Sequence, residues 1–228
     1  MRHKENYRIR SSECDEKDII RLAPLWDIMQ DAANEQARLI GAAFEDMHAK
    51  GMAWALIRME AKIDRYPKYG ESIDVVTYPA GYSKLYAIRH YHIIDGEGHE
   101  IAFANSTWIV VDKKNKRPQR VGKFFANIFH DEYTGKLCSK LEEAPELEYK
   151  RDIVAEYSDI DPNRHVNNAR YINWVENEFA GRRINYINAN YINETKLGTS
   201  IEVWTSKGDI ELRTKDGKPL FRGKLLLD

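Results

Sequence analysis

The stretch KYGESIDVVT at residues 68–77 returns as KLGTSIEVWT at residues 196–205. The lysine, glycine, serine, isoleucine and threonine coincide, one valine is shared, and Asp74 pairs with Glu202. Each copy indicates a tight turn at glycine followed by a strand with alternating apolar residues. A repeat of this kind predicts that the chain contains two copies of one structural unit.

The elements around the two copies also correspond. A helical pattern at 19–40 precedes the first copy, and a shorter one at 167–181 precedes the second. Two further strands follow each copy, joined by DGEG at 95–98 or KDGK at 215–218, which are hairpin signals. The apolar positions predicted to form the buried face of the first helix are Leu22, Leu25, Trp26, Met29, Ala32, Ala33 and Leu39.

This order of elements predicts the fold class. A long helix that is followed by an antiparallel sheet buries its apolar face only if the sheet wraps around it, which is an α+β arrangement. We therefore expect two tandem units at 1–121 and 147–228. Residues 122–146 show no clear alternation and contain glycine, proline and charges, so we expect them to be a connector.

Length and charge exclude several classes of protein. The chain has 228 residues, enough to bury a sizeable core, and its 35 lysines and arginines balance 36 aspartates and glutamates. This balance argues against a general nucleic-acid or membrane surface, and no apolar run is long enough to span a bilayer. The first residues lack the apolar core of a signal peptide, so we expect a cytoplasmic protein.

The segment YSDIDPNRHVNNARYINWVEN at 157–177 concentrates short polar side chains before its helical spacing begins. Aspartate and asparagine ahead of a helix commonly form turns and caps. Two interpretations of Asp161, Asn163 and His165 are therefore open: an ordinary capped turn or an active site.

Residues 54–81 and 158–179 resemble the acyl-acyl-carrier-protein thioesterases, with the motifs R-Y-P and D-x-N-x-H-V-N-N. These are tandem double hot-dog enzymes that release free fatty acid from acyl carrier protein. The resemblance implies this activity, an acyl carrier protein partner, no cofactor and no metal. The short chain without a transit peptide resembles the bacterial branch, and the resemblance places the acyl pocket in the N-terminal unit.

The family motif implies four catalytic residues: Asp161, Asn163, His165 and Glu194. Many plant members carry a cysteine after the glutamate, whereas this chain has Thr195, which argues against a thiol nucleophile. Glu194 would be the base if partial burial raised its pKa, and His165 is the competing base. The first turn of the following helix would supply N–H donors to an oxyanion.

Several alternatives stay open at this stage. The rival functions are an acyl-coenzyme A thioesterase, a hot-dog dehydratase and a non-catalytic acyl-binding protein. His90 and His92 share one strand face, although no third metal ligand is evident. The basic run at 112–123 is either a solvated loop or a docking surface for an acidic carrier protein. Both a monomer and a homodimer are compatible with a tandem unit.

Overall fold

The computed structural model describes residues 2–125 and 135–228. It divides into two compact units, Met1–Cys138 and Ser139–Asp228, so the division falls within the predicted connector at 122–146. Part of that connector, residues 126–134, lies outside the described residues.

The first unit combines a long helix with an antiparallel sheet. Two short helices accompany the long one. The elements are β1 (His3–Arg8), α1 (Leu22–Leu39), α2 (Phe44–Ala49), β2 (Met52–Ile63), β3 (Ser72–Ser83), β4 (Tyr86–Ile94), β5 (Glu100–Asp112), β6 (Pro118–Gln119) and α3 (Gly122–Phe125). The sheet has the strand order β1-β3-β4-β5-β2, and the short β6 pairs with β5.

The apolar face of α1 forms the core of this unit against β3 and β1. Leu22 and Trp26 are fully buried, and Leu25 and Met29 are almost so, as the helical spacing predicts. Leu39 is the exception: the expectation that it is buried is wrong, since its side chain is 62% exposed. It is the last residue of α1, and the chain turns away at Gly41, whose φ is +65°.

The second unit repeats this architecture with fewer elements. The elements are β7 (Glu148–Val154), α4 (Asn168–Glu178), β8 (Ile184–Tyr191), β9 (Ser200–Thr205), β10 (Asp209–Thr214) and β11 (Pro219–Leu227). The antiparallel sheet has the order β8-β11-β10-β9-β7, and the helix α4 buries Ile172 and Val175 fully.

The two copies of the repeated stretch occupy equivalent places. β3 lies between β1 and β4, and β9 lies between β7 and β10, so each copy pairs with the first strand of its unit and with the first strand of the hairpin. Gly70 and Gly198 precede them with φ values of +80° and +76°, a region that favours glycine. The predicted α+β class with two tandem units is confirmed.

Two features of the described residues bear on function. None of their helices is both long and apolar enough to cross a membrane. In residues 2–125 and 135–228, no cluster of three or more histidine, cysteine, aspartate or glutamate side chains has the placement to hold a metal ion.

Polar side chains on the two sheets bind the backbone of the connector. In the first unit Thr107 Oγ1 accepts from Cys138 N at 3.1 Å, and in the second Asn190 Oδ1 accepts from Leu141 N at 3.0 Å.

Candidate active site

The loop before α4 curls around the carboxylate of Asp161. Its Oδ1 accepts hydrogen bonds from the backbone N–H of Asn163 at 2.8 Å and of His165 at 3.2 Å. The N–H of Asp161 donates in turn to the carbonyl of His165 at 2.8 Å. Arg164, at the tip, has a φ of +64°, which closes the turn. One side chain therefore fixes the backbone from which the predicted Asn163 and His165 project.

The start of α4 is capped by its own sequence. Asn167 is the N-cap, and its side-chain oxygen accepts from the N–H of Ala169 at 2.8 Å. The N–H of Arg170 donates to the carbonyl of Asn167 at 2.9 Å. The expectation that the first turn offers open donors to an oxyanion is therefore wrong for Ala169 and Arg170, because both N–H groups are already used.

Glu194 reaches the same loop from the other side. It lies in the loop after β8 and not on the strand itself, and its Oε2 is 3.2 Å from Nε2 of His165. The two loops are held together by a hydrogen bond from Val166 N to the carbonyl of Thr195 at 2.9 Å. The partial burial that was set as a condition for Glu194 as base is not found, since its side chain is 61% exposed, whereas that of His165 is 24% exposed.

A buried hydrogen bond anchors Thr195, the residue that follows Glu194. The hydroxyl of Tyr171, on α4, donates to Oγ1 of Thr195 at 2.7 Å. Burial raises the pKa of Tyr171 to about 12, so this phenol stays protonated. Its ring stacks on Phe221 with the centroids 5.6 Å apart. Sequence reasoning missed this pair, although a tyrosine within the apolar face of α4 signals a buried hydroxyl that needs a partner.

The four predicted site residues form one chain of contacts in the second unit. Asn163 donates through Nδ2 to Oδ2 of Asp161 at 3.3 Å, Asp161 binds the backbone of His165, and His165 contacts Glu194. The arrangement holds an amide, an imidazole and a carboxylate side by side on two adjoining loops. Such groups can orient a water molecule, remove its proton and bind a carbonyl oxygen.

The buried Cys138 and the predicted pair His90 and His92 fit structural roles. Cys138 is buried, and desolvation raises the pKa of its thiol to about 11, so it is not a thiolate at neutral pH. The hydroxyl of Tyr78 lies 3.4 Å from Nδ1 of His90 and 3.2 Å from Nε2 of His92. Both histidine rings also contact Phe103, so they belong to an aromatic cluster on the sheet of the first unit.

Two tandem units, each with an antiparallel sheet on a helix, define the double hot-dog class of proteins, and the second unit of this one carries the polar loop. Models of two family domains match the chain: the acyl-ACP thioesterase N-terminal domain matches residues 1–129, and the acyl-ACP thioesterase C-terminal domain matches residues 142–219. The chain belongs to the acyl-ACP thioesterase family.

Solved structures share this fold over the whole chain. An acyl-ACP thioesterase from Bacteroides thetaiotaomicron has a TM-score of 0.84 at 20% identity and covers 100% of this chain and 98% of its own. A 12:0-ACP thioesterase from Umbellularia californica has a TM-score of 0.86 at 19% identity, with coverages of 100% and 94%.

Curated relatives are plant enzymes of greater length. A palmitoyl-acyl carrier protein thioesterase of Gossypium hirsutum is 28% identical over 75% of this chain and 45% of its own length. One from Arabidopsis thaliana is 24% identical over 97% of this chain and 62% of its own length. The chain spans roughly half the length of the first relatives it matches.

Proposed function

We propose that this chain hydrolyses the thioester of fatty acyl-acyl carrier protein with an activated water, releasing free fatty acid. The observation that carries the proposal is the contact of His165 with Glu194 at 3.2 Å, next to the loop that presents Asn163. Family membership and the thioesterase names of the relatives support the same chemistry. The proposed site consists of the four predicted residues Asp161, Asn163, His165 and Glu194.

The reaction needs one proton removed and one returned. Glu194 takes a proton from water while the water oxygen forms a bond to the thioester carbonyl carbon, and the carbonyl electrons move to oxygen. The tetrahedral intermediate then breaks its C–S bond, and the sulfur leaves as a thiol after it receives the proton from Glu194. His165, which donates through Nε2 in this scheme, keeps the carboxylate directed at the water.

Asn163 is proposed to bind the carbonyl oxygen. Its Nδ2 carries two hydrogens, and one of them is directed at Asp161. The second hydrogen supplies a donor for the oxyanion, a role for which the capped start of α4 is less suited because Ala169 and Arg170 already donate elsewhere. Removing such a donor typically lowers the rate by about 10²–10³-fold.

The carrier protein is proposed to approach a basic cavity in the first unit. This cavity has a volume of about 700 Å³, and Lys84, Arg120 and Lys123 are among its lining residues. Three cations at one opening favour an acidic partner through electrostatic steering. If it is the docking surface, Arg120→Glu raises KM for carrier-bound ester, and higher salt does the same for the parent, whereas KM for coenzyme A esters changes less. A salt-insensitive KM contradicts this surface.

The decisive experiment mixes the purified protein with palmitoyl- and oleoyl-acyl carrier protein, and separately with the matching coenzyme A esters, and follows free thiol. We expect faster release from the carrier-bound esters. Preference for coenzyme A esters favours the acyl-coenzyme A thioesterase instead. Binding without thiol release favours a non-catalytic acyl-binding protein.

Three further predictions belong to this proposal. We expect the acyl pocket to lie in the N-terminal unit. We expect the protein to be located in the cytoplasm and to be a monomer or a homodimer. Photocrosslinking with an acyl analogue followed by peptide mapping tests the pocket, and light scattering tests the oligomeric state. A crosslink confined to the second unit contradicts the pocket assignment.

A further inference from the structure

The loop that bears the candidate site has a structural twin in the first unit. Oδ1 of Asp15 accepts from the backbone N–H of Lys17 at 2.9 Å and of Ile19 at 3.1 Å. The N–H of Asp15 donates to the carbonyl of Ile19 at 2.9 Å, and Asp18 at the tip has a φ of +57°. Asp15, Lys17, Asp18 and Ile19 thus reproduce, bond for bond, the backbone arrangement around Asp161.

The twin loop is also tied to its unit in the same way. The N–H of Ile20 donates to the carbonyl of Pro67 at 3.0 Å, as that of Val166 donates to Thr195. In addition, Arg21 N donates to the carbonyl of Glu13 at 3.0 Å and closes the loop onto the start of α1. The correspondence therefore extends from the aspartate to the loop across from it.

The side chains that project from the two loops differ. Lys17 stands where the second unit has Asn163, Ile19 stands where it has His165, and Tyr66 stands where it has Glu194. The first unit thus keeps the aspartate without the three groups that the proposed hydrolysis uses. Because the same carboxylate makes the same backbone bonds where no proton transfer is proposed, its shared role is to hold the loop.

We infer that Asp161 is a positioning residue, which fixes the loop through Oδ1 and orients the amide of Asn163 through Oδ2, and that it exchanges no proton during the reaction. The inference rests on the proposed function. It separates Asp161 from Glu194, although both are carboxylates of the same motif. In the second unit Oδ2 of Asp161 contacts a group of the site, since Asn163 Nδ2 lies 3.3 Å from it.

The test compares Asp161→Asn with Asp161→Ala. An asparagine side-chain oxygen still accepts the two backbone bonds, but its NH2 group replaces the oxygen that accepts from Asn163 Nδ2. Because one orienting hydrogen bond is lost while the loop is kept, we expect Asp161→Asn to lose about 10-fold in kcat with an unchanged pH profile. Alanine accepts neither backbone hydrogen bond, so the loop is free to shift. Because a displacement of about 1 Å can lower the rate by roughly 10²-fold, we expect Asp161→Ala to lose at least that much of kcat. Rescue by the conservative variant is the diagnostic result.

Asp15→Asn and Asp15→Ala are the matched controls. We expect Asp15→Ala to lower the unfolding temperature while kcat stays within twofold of the parent, since Asp15 holds a loop without the site groups. If Asp161→Asn is as inactive as Asp161→Ala, or loses the pH dependence of the parent, the inference is overturned. If Asp161→Ala does not fold, Asp161→Asn alone decides. An inactive parent contradicts the proposed function itself, whereas an active parent with an inactive Asp161→Asn contradicts only the positioning role.

Discussion

The loops at 11–22 and 157–168 share a backbone and differ in what they present. Each begins with a 3-10 turn, bends around an aspartate and ends at the first turn of the long helix of its unit. Only the second offers an amide, an imidazole and, across from them, a carboxylate. The duplicated fold therefore supplies the backbone of the loop, whereas the proposed chemistry depends on a few side chains that the loop carries.

A second difference lies beneath the loops. In the second unit the buried Tyr171 donates to Thr195, whereas the equivalent positions in the first unit are Leu25 and Pro67, both buried. A buried polar pair gives the residue next to Glu194 a directional anchor, since a hydroxyl hydrogen bond has a preferred geometry. The first unit, which has Tyr66 at the equivalent of Glu194, keeps an apolar pair there.

The largest effect is expected from the proposed base. Glu194→Gln keeps the shape of the side chain and removes the acceptor for the proton of water, so we expect kcat to fall by about 10²–10⁴-fold. Steady-state thiol release from acyl carrier protein measures it, and circular dichroism checks the fold. Tyr66→Phe, at the equivalent position of the first unit, is the control and should stay within twofold of the parent.

The pH profile distinguishes the two candidate bases. If Glu194 is the base, Glu194→Gln loses the rise of kcat with pH, whereas His165→Gln is slower but retains the rise. The opposite pattern assigns the base to His165 and makes Glu194 the orienting group. In either case the Tyr66→Phe control, at a half-buried position of the first unit, should keep the profile of the parent.

The next effect is expected from the proposed oxyanion donor. Asn163→Ala removes one hydrogen-bond donor, so we expect kcat to fall by about 10²–10³-fold with a smaller change in KM. Lys17→Ala, at the equivalent exposed position of the first loop, should leave both constants near those of the parent. A variant at Asn163 with nearly normal kcat would remove this residue from the mechanism.

The sequence predicted what is periodic or repeated. The repeat located β3 and β9, and the apolar spacing located α1 and α4 within a few residues of their ends. The six-residue α2 was missed because so short a helix shows less than two turns of spacing. Its start is fixed instead by a bond from Ala43 N to the carboxylate of Asp46.

The contacts of the candidate site could not be predicted from the sequence and are seen only in the folded chain. His165 and Glu194 meet because Val166 N bonds to the carbonyl of Thr195, and no local pattern encodes a backbone bond between loops that far apart in sequence. The 61% exposure of the Glu194 side chain also follows from the folded chain, in which this residue lies in the loop beyond the end of β8. The use of the N–H groups at the start of α4 was foreseeable from Asn167, a preferred N-cap residue.

A smaller effect is expected from the anchor beneath Glu194. Tyr171→Phe leaves the hydroxyl of Thr195 buried without its partner, which should lower the free energy of unfolding by about 1–3 kcal/mol. We expect kcat to fall by less than about 10-fold, because the shift of Glu194 should be smaller than the 1 Å that can cost roughly 10²-fold. Chemical denaturation and thiol release measure the two effects.

Tyr149→Phe is the control for this anchor, since it removes a hydroxyl that binds Asp152 on the exposed surface of the same unit. Surface substitutions of this kind typically change stability by about 0.5 kcal/mol or less. A double-mutant cycle of Tyr171→Phe with Thr195→Val measures the coupling directly. Additive effects on both stability and kcat would show that the bond does not anchor Glu194.

The smallest effect on turnover is expected from Cys138. Its buried thiol lies in the first unit and donates to the carbonyl of Asn105, and its pKa of about 11 keeps it protonated, so Cys138→Ala should leave kcat unchanged. Its signature is in stability: between about pH 9 and pH 11 the unfolded thiol ionises and the folded one does not, so the unfolded state binds fewer protons and stability falls as pH rises. A pKa difference of about two units corresponds to about 2.7 kcal/mol across that window, and Cys138→Ala should lack this part of the decline. Equal alkaline slopes for the parent and the variant would contradict the raised pKa, and a large loss of kcat would make the thiol a candidate nucleophile.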